Sequence, residues 1–333
     1  MKKVLLGLAL LILAAAVFGC TKQERGNPAT GPATGPAAGE TAGEIKVVTT
    51  ILPVADFIQN VGGDRVKVVV MVPPGADPHT YEPAPGRMSE LAGARAYFAV
   101  GSGVEFELAW LEKIKQNYPA LAIVDCSRGI PLLDLDTPER AEKMAEGAAA
   151  ESGQPAGGNL SPERMGHPEH HESEHRGKDP HIWLSPKNAQ IMVENIYAGL
   201  GQIDPAHKAD YLRNRDAYLR ELTELDEKIA GSLQRVQNRN FLVFHPAWGY
   251  FARDYGLREI PVEAGGKEPG AKELARIIAT AKKENIRTVF ASPQFNPQSA
   301  RAIAREIRGR VIFIDPLPQK YIPNLLQVVG QFE

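Results

Sequence analysis

The sequence predicts an α/β protein of two lobes, each with a roughly four-stranded parallel sheet flanked by helices, joined by one long rigid helix. The first observation is that eight short segments rich in apolar and β-branched residues fall into two groups of four. Such segments, separated by stretches long enough for a helix, are typical of buried parallel strands. The second observation is a long stretch between the two groups whose apolar residues recur at helical spacing.

The first group predicts strands at residues 46–51, 66–72, 96–101 and 121–126. The second group predicts strands at residues 241–245, 259–263, 288–293 and 311–316, with helices at residues 271–284 and 298–307. Because strands alternate with helix-length segments in both groups, each group is expected to form βα units and a parallel sheet.

The stretch at residues 206–236 predicts the linking helix. Its apolar positions are spaced by three, four or seven residues and would form one stripe: Tyr211, Tyr218, Leu222, Leu225, Ile229, Leu233 and Val236. Asp204 and Pro205 supply an N-cap and a first-turn proline. At 1.5 Å per residue, such a helix spans roughly 45 Å, which is long enough to act as a rigid spine between the lobes.

Length and charge restrict the class of protein. A chain of 333 residues is long enough for two domains. Lys and Arg number 38 and Asp and Glu number 40, whereas a nucleic-acid-binding protein normally has a basic excess. Nucleic acid is therefore not an expected partner. The two cysteines, Cys20 and Cys126, are too few for a disulfide-stapled scaffold.

The N-terminal segment predicts export and anchoring. Residues 1–19 combine Lys2 and Lys3 with an apolar stretch that is too short for a membrane span, which predicts a lipoprotein signal peptide. Cys20 is the predicted lipidation site, and a plain signal peptide cleaved nearby is the alternative. Residues 20–44, rich in Gly, Pro, Ala and Thr, predict a flexible tether. The protein is therefore expected outside the cytoplasm, anchored to a bacterial membrane by lipid.

The rest of the chain is predicted to divide into a first lobe at residues 45–205, the linking helix at 206–236 and a second lobe at 237–333. Within the first lobe, residues 134–178 are polar and rich in Gly and Pro. Such a stretch has little capacity to form strands or a core, so we expect a mobile surface insertion there.

Three histidines and one aspartate lie at or after predicted strand ends: His79, His181, His245 and Asp315. Ligands of open α/β sheets gather at the carboxyl ends of strands. Three imidazoles and one carboxylate form a tetrahedral zinc set. The spacing of these residues along the chain does not by itself bring them together, and an aspartate at a strand end often caps a helix instead.

Six segments in order resemble the metal-binding solute-binding proteins of bacterial ABC importers, the zinc and manganese class. They are VVTTILPVADF, VPPGADPHTYEPAP, DPHIWLSP, FHPAWGYFARDYGL, SPQFNPQSA and VIFIDPL. The resemblance implies two α/β lobes bridged by one long helix, with the metal in the cleft. It implies that His79 and His181 are ligands from the first lobe and that His245 and Asp315 are ligands from the second.

The third ligand position separates zinc from manganese carriers in the class that the chain resembles. Zinc-type members tend to carry histidine there, as this chain does at His245, and imidazole suits zinc whereas manganese prefers oxygen. The resemblance implies a monomeric protein without enzymatic activity that captures Zn²⁺ and delivers it to an ABC permease, with the ATPase acting through that permease. Trp183 and Trp248 would either wall the cleft or belong to the core.

The predicted insertion contains four further histidines within HPEHHESEH: His167, His170, His171 and His175. A cluster of imidazoles and carboxylates can bind metal weakly, so these residues are candidates for an auxiliary zinc site, the alternative being a solvated loop without a role.

Three other functions remain open from the sequence. One is a manganese or iron carrier of the same class. A second is a zinc hydrolase, although the HExxH match in the chain, HESEH at residues 171–175, lies in the predicted mobile insertion and not in a predicted helix. The third is a surface adhesin.

Overall fold

The computed structural model describes residues 44–135, 177–263 and 269–332. Within these ranges, two sheets of four strands are present. The first contains β1 (Ile45–Thr49), β2 (Val66–Val70), β3 (Ala96–Ala99) and β4 (Ala122–Asp125), and the second contains β5 (Asn240–Val243), β6 (Arg258–Pro261), β7 (Thr288–Ala291) and β8 (Arg310–Phe313). All strand pairs are parallel. The predicted fold class is confirmed.

The two sheets have equivalent strand orders, β2-β1-β3-β4 and β6-β5-β7-β8. In each sheet the strand order reverses its direction between two neighbouring strands. These strands are β1 and β3 in the first sheet and β5 and β7 in the second. Open α/β sheets bind their ligands beyond the carboxyl ends of the strands at this point. The topology therefore marks one candidate binding edge on each lobe.

Nine helices of the described residues surround the sheets. They are α1 (Leu52–Gly62), α2 (Pro85–Ser89), α3 (Glu105–Asn117), α4 (Pro186–Ile203), α5 (Lys208–Leu233), α6 (Gly249–Tyr255), α7 (Ala271–Lys283), α8 (Gln298–Glu306) and α9 (Tyr321–Gly330). Local sequence explains where α4 begins, because the Ser185 hydroxyl accepts a hydrogen bond from the Asn188 N–H and Pro186 occupies the first turn. None of these helices is both long and apolar enough to cross a lipid bilayer.

The predicted strands begin within one residue of the observed strands and run one to three residues too far at their carboxyl ends. The reason is that buried residues continue past the last paired position. Met71 and Val72, for example, are 0% and 2% exposed but lie beyond β2. Apolar residues at these strand ends therefore indicate burial, but they do not indicate at which residue the strand ends.

The linking helix is α5, and it is preceded by a 3₁₀ turn at Pro205–His207. Six of the seven predicted stripe residues are buried along α5: Tyr211, Tyr218, Leu222, Leu225, Ile229 and Leu233. The helix begins later than predicted because the Asp204 carboxylate accepts hydrogen bonds from His207 Nδ1 and the Tyr211 hydroxyl, which closes a separate turn. α5 packs against α1 and α4 of the first lobe and α9 at the C-terminal end.

One hydrophobic core extends through both lobes. It joins residues of the first sheet, such as Phe98, with Phe241, Trp248 and Phe251 of the second lobe. A smaller cluster, which includes Leu242 and Ile303, is separate from it. The shared core means that the two sheets are packed into one body, on which loops from both lobes meet.

Several predicted features lie outside the described residues. They are the signal peptide at residues 1–19, Cys20, the tether up to residue 43, and the insertion histidines His167, His170, His171 and His175. The chain segments that flank residues 136–176 are joined to each other, since the Leu135 N–H donates to the Gly177 carbonyl at 2.8 Å and Lys178 pairs with Asp134 at 2.7 Å. The domain boundaries stay a prediction.

Candidate metal centre

Three histidine rings converge at the cleft between the lobes. The Nε2 atom of His181 lies 3.1 Å from Nε2 of His79 and 3.3 Å from Nε2 of His245. The side chains of His79, His181 and His245 are 17%, 4% and 10% exposed. Among the described residues, these three are a group of nitrogen ligands that could hold a metal ion. The structure thus brings together three of the four residues singled out from the sequence.

Three Asp-Pro-X turns shape the surroundings of this site, at residues 77–79, 179–181 and 315–317. In each turn the Asp Oδ1 atom accepts a hydrogen bond of 2.9 Å from the backbone N–H of the third residue. Such a side-chain turn fixes the direction of the chain. The third residue is histidine in the first two turns and Leu317 in the last, so the same local geometry presents imidazoles twice and an apolar side chain once.

Asp315 does not join the histidine group. Its Oδ1 atom accepts hydrogen bonds from the Leu317 N–H at 2.9 Å and from Gln294 Nε2 at 2.7 Å. Asp315 follows β8, which is two strands away from β5, the strand that precedes His245. Strand spacing places the ends of β5 and β8 about 10 Å apart. Coordination of a metal by Asp315 therefore stays a prediction.

Each imidazole has a carboxylate at its other nitrogen. Nδ1 of His79 lies 2.5 Å from Glu105, and Nδ1 of His181 lies 2.8 Å from Asp179. Nδ1 of His245 lies 3.5 Å from Glu263, within ion-pair distance, but it has no hydrogen-bond partner among the described residues. Carboxylates in this position orient metal-binding histidines and make them better ligands, because they hold the proton on Nδ1 and leave the lone pair on Nε2. Glu105 and Asp179 thus orient the rings of His79 and His181, and Glu263 is the carboxylate nearest to Nδ1 of His245.

Glu105 reaches His79 because the start of α3 is tied to the first turn. The Phe106 N–H donates to the Pro78 carbonyl at 3.2 Å. The buried Glu107 carboxylate accepts hydrogen bonds from the backbone N–H groups of Val100 and Gly101 at 2.7 and 2.9 Å. These bonds hold the segment between β3 and α3 so that Glu105 faces the site.

The second turn is held from both lobes. Ser102 donates its hydroxyl to the Pro180 carbonyl at 2.5 Å, and the Tyr250 hydroxyl donates to the Asp179 carbonyl at 2.8 Å. The Trp183 indole N–H donates to the Pro316 carbonyl at 2.7 Å. His181 therefore stands where the two lobes are joined.

The imidazoles differ in basicity. Burial opposes a charge on His79, but the hydrogen bond and the negative charge of Glu105 outweigh burial, so the pKa of His79 is raised from its usual value. Burial and the neighbouring rings of His79 and His245 lower the pKa of His181 well below the usual value. Burial raises the pKa of Asp179 to about 7. His181 is consequently held neutral, the form that can bind a metal.

The rings line a cavity of about 10 Å³, which is room for one water-sized sphere. The other lining residues are Asp77, Pro78, Trp183, Gln294, Phe295, Pro316 and Leu317. The Phe295 ring lies 4.8 Å from the His245 ring, centre to centre. Trp183 walls the cavity and is also fully buried, whereas Trp248 is buried and does not line the cavity.

Sequence reasoning missed most of the residues that support the histidines. Tyr81, two residues after His79, stacks on Phe106, and the side chain that supports His79 is Glu105. The repeated Asp-Pro-His segment was a signal for the shared turn. The place of Glu105 depends on α3, and no local pattern in the sequence carries that information.

Fold and site are those of a two-lobed solute-binding protein with a candidate cation site in its cleft. The model of the family described as zinc-uptake complex component A, periplasmic (ZnuA), matches residues 47–329. The chain therefore belongs to the ZnuA family, and the resemblance found in the sequence is confirmed.

Similar proteins include members named for two metals. The high-affinity zinc uptake system protein ZnuA of Bacillus subtilis is 27% identical over 275 residues, which are 82% of this chain and 78% of that protein. The manganese-binding lipoprotein MntA of Halalkalibacterium halodurans is 25% identical over 310 residues, 92% of this chain and 86% of that protein. A crystal structure of a ZnuA deletion mutant with zinc bound is 35% identical, with a TM-score of 0.72 over 86% of this chain and 96% of that one.

Proposed function

We propose that this protein is the zinc-binding component of an ABC importer and that it captures Zn²⁺ with His79, His181 and His245. The observation that carries the proposal is the convergence of the three Nε2 atoms within 4.8 Å of one another. Imidazole nitrogen is a preferred zinc ligand, and the rings of His79 and His181 are oriented by hydrogen-bonded carboxylates as in established zinc sites. Membership of the zinc-uptake family supports the same cargo.

Zinc is favoured over manganese by the donor atoms. The group of convergent ligand atoms in the described residues consists of nitrogens, and manganese prefers carboxylate and water oxygens. The similar structure whose description includes bound zinc supports this choice. A manganese-binding relative is also similar, so a metal-competition measurement belongs to the test.

Capture and transport are favoured over catalysis. The cavity of about 10 Å³ is far smaller than the roughly 300–1,000 Å³ of a typical site for an organic molecule. The carboxylates Glu105, Asp179 and Glu263 face the Nδ1 atoms of the histidines. A zinc hydrolase needs a base beside the metal-bound water, and these three carboxylates lie on the Nδ1 side of the rings, away from the Nε2 atoms.

Delivery and location complete the proposal. The protein would act outside the cytoplasm, held to the membrane by lipid at Cys20 and by the tether, and would hand zinc to the permease. Two ligands come from the first lobe and one from the second, so a small displacement of the lobes on docking would separate His245 from the other two. The histidines His167, His170, His171 and His175 are proposed to bind further zinc weakly.

The test is a zinc titration of the purified soluble protein against a competing chelator. His181→Ala and His245→Ala are each expected to weaken zinc binding by more than the roughly 10- to 100-fold that loss of a supporting residue costs. His207→Ala is the matched control, because His207 pairs with Asp204 beside the linking helix. Unchanged affinity in both site variants, or preferred binding of manganese over zinc by the unaltered protein, would overturn the assignment.

A further inference from the structure

Gln294 of the second lobe lies beside the histidines, in the cavity that they line. It lies in the loop after β7, and β7 is the strand between β5 and β8. His245 follows β5 and Asp315 follows β8, so the topology inserts Gln294 between the third histidine and the aspartate. Gln294 lines the histidine cavity, whereas Asp315 does not.

The amide of Gln294 has a defined orientation. Its Nε2 atom donates to Asp315 Oδ1 at 2.7 Å. An ionised carboxylate only accepts hydrogen bonds, so the NH₂ group of Gln294 must be the side that faces Asp315. The amide oxygen Oε1 then lies on the other side, where it is buried and has no hydrogen-bond partner among the described residues. Burying an amide oxygen without a partner costs free energy, and such an atom therefore indicates a missing donor.

The missing donor follows from the coordination of zinc. Three protein nitrogens leave one position of a tetrahedral zinc ion open, and a water molecule normally fills that position. A zinc-bound water can donate two hydrogen bonds. Glu105 and Asp179 are hydrogen-bonded to Nδ1 atoms, and the Asp77 carboxylate, which also lines the cavity, accepts from the His79 N–H and the Thr80 hydroxyl. Gln294 Oε1 differs from these groups because it is a buried acceptor without a hydrogen-bond partner among the described residues, and Gln294 lines the same cavity.

We propose that Gln294 Oε1 accepts a hydrogen bond from the water in the fourth coordination position of the bound zinc, and that Asp315 positions the Gln294 amide for this purpose. The inference rests on the proposed zinc capture by the three histidines. It assigns Gln294 a direct part in holding the hydrated ion. It replaces direct coordination by Asp315 with an indirect role, because the Asp315 Oδ1 atom is engaged by Gln294 and by the turn at Leu317.

The experiment uses the full chain loaded with Zn²⁺ for affinity and with Co²⁺ for visible absorption, with azide as a probe of the fourth position. The variants are Gln294→Leu, Asp315→Ala and the double variant, and Gln298→Leu is the control because Gln298 is exposed on α8 in the same lobe. Gln294→Leu is expected to weaken zinc binding about 10-fold, the lower end for a supporting residue. The double variant should bind zinc no more weakly than Gln294→Leu alone, because Asp315 acts through Gln294.

Azide supplies the readout that a structural role would not change. Loss of the acceptor weakens the binding of the water to the metal. Azide should therefore displace the water at a lower concentration in Gln294→Leu than in the unaltered protein. If Gln294→Leu does not fold, Gln294→Asn, which withdraws the amide by one methylene, should show the same shift.

The inference is overturned if Asp315→Ala alone costs more than 100-fold while Gln294→Leu and the azide response stay unchanged, because Asp315 would then be a direct ligand. It is also overturned if both single variants bind zinc and azide like the control. Failure of the unaltered protein to bind zinc at all would instead refute the proposed function.

Discussion

The indole N–H of Trp183 donates a hydrogen bond of 2.7 Å to the carbonyl oxygen of Pro316, across the junction of the two lobes. Trp183 is two residues from His181, and Pro316 adjoins Asp315 in the third Asp-Pro-X turn. Both residues are buried. The bond therefore fixes the turn of one lobe against the turn of the other, directly beside the histidines.

Replacement of Trp183 by Phe should lower the free energy of unfolding by about 1–3 kcal/mol, because the Pro316 carbonyl loses its donor in a buried place. Denaturant unfolding monitored by circular dichroism measures the change. Trp110→Phe is the matched control, since Trp110 is only half-buried on α3, and it should change stability by less than about 0.5 kcal/mol. Equal losses in the two variants would refute the role of the bond.

Glu105→Gln should weaken zinc binding about 10-fold at neutral pH. The glutamine oxygen can still accept the hydrogen bond from His79 Nδ1, but the negative charge that makes the imidazole a stronger ligand is gone. Chelator competition gives the affinity. Glu112→Gln is the control on the same helix, because Glu112 is exposed and pairs with Lys115. An affinity equal to that of the control would show that Glu105 does not act on the site.

Zinc binding should weaken as the pH falls through the pKa of His79. That pKa is raised, so the protonated imidazole, which cannot bind zinc, becomes populated at a higher pH than for an ordinary histidine. Affinities measured between about pH 8 and pH 5 would reveal the decline. In Glu105→Gln the cause of the raised pKa is removed, and the decline should move to lower pH. Superimposable curves for the two proteins would contradict this account.

Asp56→Ala should destabilise the fold by about 2 kcal/mol without changing zinc affinity. The Asp56 carboxylate on α1 accepts hydrogen bonds from the Tyr321 N–H and Lys320 Nζ, both at 3.1 Å, and so caps α9 with a negative charge. Lys320→Ala should cost less than about 1 kcal/mol, because that side chain is 70% exposed. The exposed Asp64→Ala is the control. Loss of zinc binding in Asp56→Ala would show that this contact has a second role at the cleft.

The sequence by itself determined the architecture of this protein. The alternation of apolar segments fixed the two parallel sheets, and the stripe from Tyr211 to Leu233 fixed the linking helix, because burial requires apolar periodicity that matches the geometry of each element. The Asp-Pro-His segments also determined their own turns, since each turn is closed by the Asp side chain and the backbone N–H two residues later.

Only the tertiary structure decided which side chains meet. No local sequence pattern specifies the order of the strands in the sheet. That order places Gln294, after β7, beside His245 and leaves Asp315, after β8, at the edge of the sheet. The partnership of His79 with Glu105 likewise depends on where α3 packs. Metal coordination is governed by distances of a few ångströms between residues that are far apart in sequence, and those distances are set by the packing of whole elements.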